Sequence, residues 1–285
     1  MILPEHRWRD GKRLWTGAEE MGFDHAWTYD HVGWRDLVDG PWFDAVATLT
    51  AAATATSRIG LGTHVASPNF RHPAVFARAV MALDDISDGH FILGVGAGGV
   101  GFDAAVLGGP HLTGRERIDR FTEFVELLKA ILTNRSTTSE GAYFSAVDAR
   151  SAPGPVKSSG IPMVIAANFP RSIALAARLG DGWVTTGAQA DKLDDWWKAV
   201  AENSQRFEDA LQEQGRGADE VSRYLLLDAA PVFSLSSVDA FADALGRAEQ
   251  LGFTDVVTHW PRPSGWYAGT EAVLEEVAGR YLKPA

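Results

Sequence analysis

The sequence predicts an α/β protein, a (β/α)₈ TIM barrel with a loop-rich insertion before the fifth strand. Three observations point there. One phrase recurs along the chain: an amphipathic helix, a glycine, then a short β-branched or aromatic run. It reads AEEMGFDHAW at 18–27, ALDDISDGHFIL at 82–93, AARLGDGWVT at 176–185 and AEQLGFTDVV at 248–257. Glycine suits a helix end that finishes in a left-handed residue, and a short, nearly continuous apolar run suits a buried parallel strand. Eight such runs alternate with helical segments, which is the rhythm of this barrel. The 285 residues contain no obvious linker, so a single domain over 1–285 is expected. A doubly wound open sheet is the competing architecture.

Taken in order, the predicted strands are MIL near residue 2, HAWTYDH from His25, RIGLGTHVAS from Arg58 and FILGVGAGG from Phe91. PMVIAAN from Pro162, GWVTTG from Gly182, YLLLDAAPVF from Tyr224 and TDVVTHW from Thr254 complete the set. Helices fill the gaps. In ERIDRFTEFVELLKAIL the residues Ile118, Phe121, Val125, Leu128 and Leu132 form one apolar stripe at helical spacing. Ser237, followed by Asp239, is placed to cap the helix SVDAFADALGRAEQLG. His72 precedes Pro73 at a helix start, a structural position. Residues 135–160 are rich in Ser, Gly and Pro and break the rhythm. They read as the insertion, the kind of loop that carries substrate contacts or a lid.

Composition narrows the chemistry. The net charge of −11 argues against a nucleic-acid partner or an anionic membrane surface. The absence of cysteine removes disulfides, thiolate metal sites and a cysteine nucleophile. No apolar run approaches a membrane span, and MILPEHRWRDGKRLW lacks the apolar core of a secretion signal. A cytoplasmic location is therefore expected. No His or carboxylate spacing suggests a metal. Neither a GxSxG elbow nor a phosphate-loop GxxxxGK motif is present, so a hydrolase is not supported. Ten tryptophans, several in loop-like contexts, suggest an aromatic pocket.

GVGAGG, residues 94–99, has the spacing of a dinucleotide fingerprint but the wrong position. That fingerprint opens the first βαβ unit, and here it closes the fourth predicted strand. Active sites of such barrels lie at the C-terminal strand ends. Glycines there let a flat ring or a phosphate approach the backbone; tolerance of glycine in a tight turn is the other reading. The same rule places Asp30 and His31, then His64, Val65 and Ser67, in the site. It adds Ala166, Ala167 and Asn168, then Thr185 and Thr186, and finally His259 and Trp260.

GFDHAWTYDH, SRIGLGTHVASPNFRHPAVFARAVMALDDISDGHFILGVGAGG, RIDRFTEFVELLKAIL and PMVIAANFPRSIALAARLGDGWVTTG resemble the bacterial luciferase-like oxidoreductase superfamily. The composite RHPxxxAxxxxxLDxxSxGxxxLGxGxG is specific. The resemblance implies a (β/α)₈ barrel that binds reduced flavin (FMN) or the deazaflavin coenzyme F420. It also implies a cis peptide at His64–Val65 and cofactor contacts at Gly96, Ala97 and Gly98. Further implied contacts are Ala166, Ala167, Asn168, Thr185 and Thr186, with the helix opening near Pro170 and Arg171 facing a phosphate. The DH pair followed by Trp34 resembles the deazaflavin reductases and dehydrogenases, and F420 is preferred, with FMN as the alternative. The deazaflavin sugar-phosphate dehydrogenases carry a glutamate directly after the Gly-rich strand, where this chain has Gly99. Reduction of a C=C or C=N bond is the expected chemistry.

Within that reading His31 is the proton donor or acceptor, or a residue that only hydrogen-bonds the cofactor or Asp30. Asp30 orients a neighbour. His64 shapes the backbone under the ring or acts as an acid. His259 is a pocket wall or a core histidine. Trp34, Phe70, Trp260, Trp266 and Tyr267 line a substrate pocket or simply pack. Arg71 and Arg171 hold an anionic cofactor tail or lie solvated at the surface. Three readings follow: an F420-dependent hydride-transferring oxidoreductase on a small organic substrate, a two-component FMNH₂ monooxygenase fed by a separate reductase, and a non-catalytic flavin-binding protein. A homodimer is the family expectation.

Overall fold

The computed structural model describes residues 1–282. The chain divides into two compact units. In chain order the elements are α1 (Trp8–Glu20), β1 (His25–Thr28), α2 (Ala45–Ala53), β2 (Gly60–Thr63), α3 (Pro73–Ile86), β3 (Phe91–Val95), α4 (Phe102–Ala105) and α5 (Gly114–Thr133). They continue with β4 (Ser136–Glu140), β5 (Ser145–Arg150), β6 (Met163–Ala166), α6 (Pro170–Leu179), β7 (Gly182–Thr185) and α7 (Leu193–Glu213). The last are β8 (Ser222–Leu226), α8 (Val238–Gln250), β9 (Asp255–Val257) and α9 (Glu271–Tyr281). No helix among the described residues is long and apolar enough to cross a membrane.

The first unit comprises Pro4–Thr16 and Asp24–Met163. Its strands β1, β2 and β3 pair in parallel, with His25 opposite Gly60 and Leu61 opposite Phe91. Trp27, Leu61, Phe91, Leu93 and Val95 are buried. Phe76 of α3 meets Phe124 of α5 with ring centroids 6.5 Å apart. On α5 the predicted stripe is buried from Phe121 to Leu132, joined by Phe124, Leu127 and Ile131. Thr113 and Glu116 close its N-terminus as a capping box. His72 caps α3 by accepting from the Ala74 N–H at 3.2 Å.

The insertion is more ordered than its composition suggested. Residues 136–150 form an antiparallel hairpin, with Ser136 opposite Arg150 and Glu140 opposite Ser145. Its turn is held by the Glu123 carboxylate, which accepts from the N–H groups of Tyr143 and Phe144. β4 buries only Thr137, so the apolar alternation that marks a strand is missing. Residues 151–160 stay irregular, anchored where the Val156 N–H donates to buried Asp84 at 2.7 Å.

The second unit comprises Met1–Leu3, Gly17–Phe23 and the chain from Val164 onward. Here β6, β7, β8 and β9 pair in parallel, with Val164 opposite Gly182, Thr185 opposite Leu225 and Leu226 opposite Val257. Trp183 is fully buried, stacks on Phe207 at 4.4 Å and lies 5.7 Å from Phe253. Ser237 caps α8 as predicted, accepting from the Ala240 N–H at 3.0 Å.

Seven predicted strands are present. The first is not a regular strand. Residues 1–3 lie beside the end of β9, where the Trp260 N–H donates to the Met1 carbonyl at 2.8 Å, but Pro4 has no N–H with which to extend a ladder. At the helix–strand junctions Gly22, Gly89 and Gly252 adopt positive φ as expected, whereas Gly180 does not. A Cβ there would come within 2.8 Å of the Ala176 carbonyl, so close approach requires that glycine.

Gly94 answers part of the question raised by GVGAGG. A Cβ at this position would collide with the Thr63 carbonyl oxygen. The Gly94 N–H donates to Thr63 Oγ1 at 3.1 Å, and that hydroxyl donates back to the Gly94 carbonyl at 2.8 Å. Gly94→Ala is expected to destabilise the protein by about 1–3 kcal/mol in chemical denaturation. Gly109→Ala, where a Cβ meets nothing within 4 Å, should stay within about 0.5 kcal/mol of the parent.

Candidate active site

In the first unit the strand ends assemble around two carboxylates. Asp30 follows β1 and is 1% exposed. Arg71, from the loop after β2, grips it twice: Nε donates to Oδ2 at 3.1 Å and Nη2 to Oδ1 at 2.6 Å. The same Nη2 reaches Asp44, the N-cap of α2, at 3.0 Å. Burial pushes the Asp30 carboxyl up, and Arg71 opposes that shift without cancelling it. Arg71 is thus bonded to both Asp30 and Asp44. Phe70 lies half-buried beneath the Arg71 guanidinium, 5.0 Å from it.

The second carboxylate is Asp103 of α4. Its Oδ2 bonds His31 Nδ1 at 2.5 Å, and its Oδ1 accepts from the Val32 and Gly33 N–H groups at 2.8 and 3.2 Å. The Asp103 side chain is 8% exposed and that of His31 31%. The His31 carbonyl accepts from Trp42 Nε1 at 2.8 Å. Tyr29 stands beside all of this, its ring 5.6 Å from His31, 5.2 Å from Trp34 and 6.3 Å from His64. The His64–Val65 peptide is cis, as the resemblance implied; His64 is buried and Val65 half-buried.

After β3 the backbone is bare. Gly96 is buried, Ala97 and Gly98 are half-buried and Gly99 is exposed. Gly98 has φ +74°, a conformation glycine adopts freely. Asn69 pins the loop, donating to the Gly99 carbonyl at 3.3 Å and accepting from Arg120 Nη2 at 2.5 Å. Asp103, Tyr29, Asn69 and Arg120 were not singled out from the sequence. They lie far apart in the chain, and only the Asp in GFDAA was a visible clue.

In the second unit Asn168, Thr185 and Thr186 come together. Thr185 Oγ1 donates to Asn168 Oδ1 at 2.7 Å, and Asn168 Nδ2 donates to Thr186 Oγ1 at 2.7 Å. Asn168 Oδ1 also accepts the Thr186 N–H at 3.1 Å. Thr185 is 0% exposed, so its hydroxyl braces the loop. Ala167 is buried, with its carbonyl on Trp183 Nε1 at 2.9 Å, whereas Ala166 is half-buried. Arg171 is exposed in the first turn of α6.

His259 is a core histidine, which corrects its place in a substrate pocket. Its side chain is 0% exposed, its Nδ1 lies 2.9 Å from Asp228 Oδ2, and Tyr267 stacks on it at 3.5 Å. Asp228 also accepts from the N–H groups of Ser234 and His259 and from the Thr258 hydroxyl. Trp260 Nε1 is tied to Glu271 at 3.0 Å, and Trp266 is exposed.

A sequence profile of the luciferase-like monooxygenase family matches residues 1–230. An F420-dependent glucose-6-phosphate dehydrogenase from Amycolatopsis mediterranei is 34% identical over 204 residues, 70% of this chain; the match spans 60% of that enzyme's length. Its counterpart from Kineococcus radiotolerans is 33% identical over 271 residues, 93% of this chain and 76% of that enzyme. The coenzyme F420-dependent tetrahydromethanopterin reductase of Methanopyrus kandleri superposes with a TM-score of 0.77 at 19% identity, over 99% of this chain and 98% of that one. That likeness shows the α/β barrel class expected from the sequence.

Burial alone would raise the Asp228 carboxyl, but donors from His259 and Ser234 outweigh it and hold the group below its usual value. A depressed carboxylate contributes stability above its unfolded pKa and loses it as pH falls through the folded one. Stability measured by chemical denaturation should therefore drop below about pH 4. Asp228→Asn should cost about 1–3 kcal/mol at pH 7 and show a shallower further loss in acid.

Proposed function

The chain belongs to the luciferase-like monooxygenase family, and on that premise we propose that it is an oxidoreductase that uses coenzyme F420 to transfer hydride to or from a small organic substrate. The observation that carries this reading is the pairing of His31 with Asp103. A partly exposed imidazole, held by a buried carboxylate, is joined through one loop to the bare backbone after β3. Identity to F420-dependent enzymes over nearly the whole chain supports the choice of cofactor.

The residues present fit a flat ring. A Cβ at Gly101 would meet nothing within 4 Å, and one at Gly99 only the Gly101 nitrogen at 3.9 Å, so the outer end of this loop is open, while the Asn69 side chain packs against Gly98. Gly96, Ala97 and Gly98, with His64 and Val65, are assigned to the ring. In the second unit the half-buried Ala166, Asn168 and Thr186 are the further contacts that the resemblance implies, with Ala167 and Thr185 bracing their loops. Arg171 and the N-terminus of α6 are assigned to a phosphate. When bound, the deazaflavin supplies or accepts a hydride and makes no stable oxygen adduct.

His31 supplies the proton chemistry beside that transfer. Asp103 engages Nδ1, which leaves Nε2 to give or take a proton at the substrate. Asp30 acts through Arg71, which it grips to hold the loop that carries Phe70 and His72. Trp34 and Trp42 flank the Tyr29 ring, with centroids 5.2 and 6.4 Å away.

The substrate reading is the reduction of a C=C or C=N bond in an apolar compound. Val32, beside His31, and Val100, Phe102, Val106 and Leu107, on and around the α4 turn that carries Asp103, are exposed. Gly99 stands where the resembling sugar-phosphate dehydrogenases carry a glutamate. Apolar rims of this kind bind hydrocarbon surface rather than a sugar phosphate.

Fluorescence titration of the purified protein with F420 and, separately, FMN tests the cofactor. Micromolar affinity for F420 alone is expected; binding of FMN alone would favour an oxygen-consuming monooxygenase instead. His31→Gln should lower turnover about 10²–10⁴-fold and leave the F420 dissociation constant nearly unchanged. Equal losses in both would assign His31 to binding, and binding with no turnover on any unsaturated substrate would mark a carrier protein.

A further inference from the structure

The three bonds to Asp103 do more than hold a loop. Its Oδ1 faces two backbone N–H groups, those of Val32 and Gly33, and backbone N–H can only donate. Its Oδ2 faces His31 Nδ1 at 2.5 Å, and a carboxylate can only accept. The proton in that contact therefore belongs to Nδ1, and a neutral His31 carries its lone pair on Nε2. The loop has little freedom to swap partners: a Cβ at Gly33 would lie 3.0 Å from the Phe102 ring and 2.9 Å from Val38.

We propose that Asp103 is a positioning residue that locks His31 in the Nδ1–H tautomer and so makes Nε2 the reactive nitrogen. The assignment of proton transfer to His31, given above, is the reading on which its consequence for turnover rests; the tautomer lock stands on the three contacts. The geometry also predicts an asymmetric response to amide substitution. In Asp103→Asn the two backbone donors retain the amide oxygen at the Oδ1 position. The NH₂ group then faces His31 Nδ1 and forces it to accept, which moves the imidazole proton to Nε2. The variant keeps the loop and both backbone bonds but presents the wrong nitrogen.

The test is a long-range ¹⁵N–¹H spectrum of the full chain without cofactor, labelled at histidine, at a pH where the imidazole is neutral. His31→Gln identifies the resonance. The wild-type protein should show the proton on Nδ1, and Asp103→Asn should show it on Nε2. Turnover with F420 should fall on the order of 10²–10⁴-fold in Asp103→Asn, with the substrate KM and the F420 dissociation constant little changed. A wild-type proton on Nε2, or an unchanged tautomer in the variant, overturns the proposal. The wild-type spectrum decides even if the variant fails to fold. A switched tautomer with undiminished turnover upholds the lock and overturns instead the assignment of proton transfer to His31.

Discussion

A buried carboxylate that accepts backbone N–H groups is the device on which the candidate site depends. Strand ends leave unpaired N–H groups, and a buried N–H without a partner costs free energy comparable to a lost hydrogen bond. Asp103 satisfies two of them after β1 and in doing so draws the His31 loop onto the start of α4. His31 then has one orientation and one free nitrogen. Asp30 works by another route, its burial offset by the two-pronged grip of Arg71. That pair ties the far end of the loop after β2 to the residue that follows β1.

The second unit repeats the device with a different outcome. Asp228 also accepts two backbone N–H groups and a histidine Nδ1. There the imidazole is wholly buried under Tyr267 and cannot reach a substrate, so the arrangement is architectural. Of the three histidines that follow strands, His31 and His259 are each bonded to an aspartate. Exposure is the property that separates them, since a proton can be exchanged only at an atom a substrate can approach.

Most of the fold was legible because its signals are local. The stripe on α5, the cap at Ser237 and the glycines at 22, 89 and 252 are set by neighbours a few residues away. Gly94 and Gly180 were legible as glycines but not as close approaches, because the carbonyls they accommodate, Thr63 and Ala176, become neighbours only on folding. The hairpin at 136–150 was missed because β4 turns almost entirely to solvent and has no buried face to leave a pattern.

The site divides along the same line. His31, Asp30 and the glycines after β3 were identifiable from residue type at predicted strand ends and from family resemblance. Asp103, Asn69 and Arg120 were not, since their partners lie 72, 30 and 51 residues away. The sequence by itself determined the alternation of strands and helices and the residue types at the strand ends, because periodicity and turn chemistry are properties of adjacent residues. Only the tertiary structure decided which carboxylate meets which histidine, and that His31 stays open while His259 is buried. Pairing and burial arise when distant segments pack, and no short-range pattern encodes them.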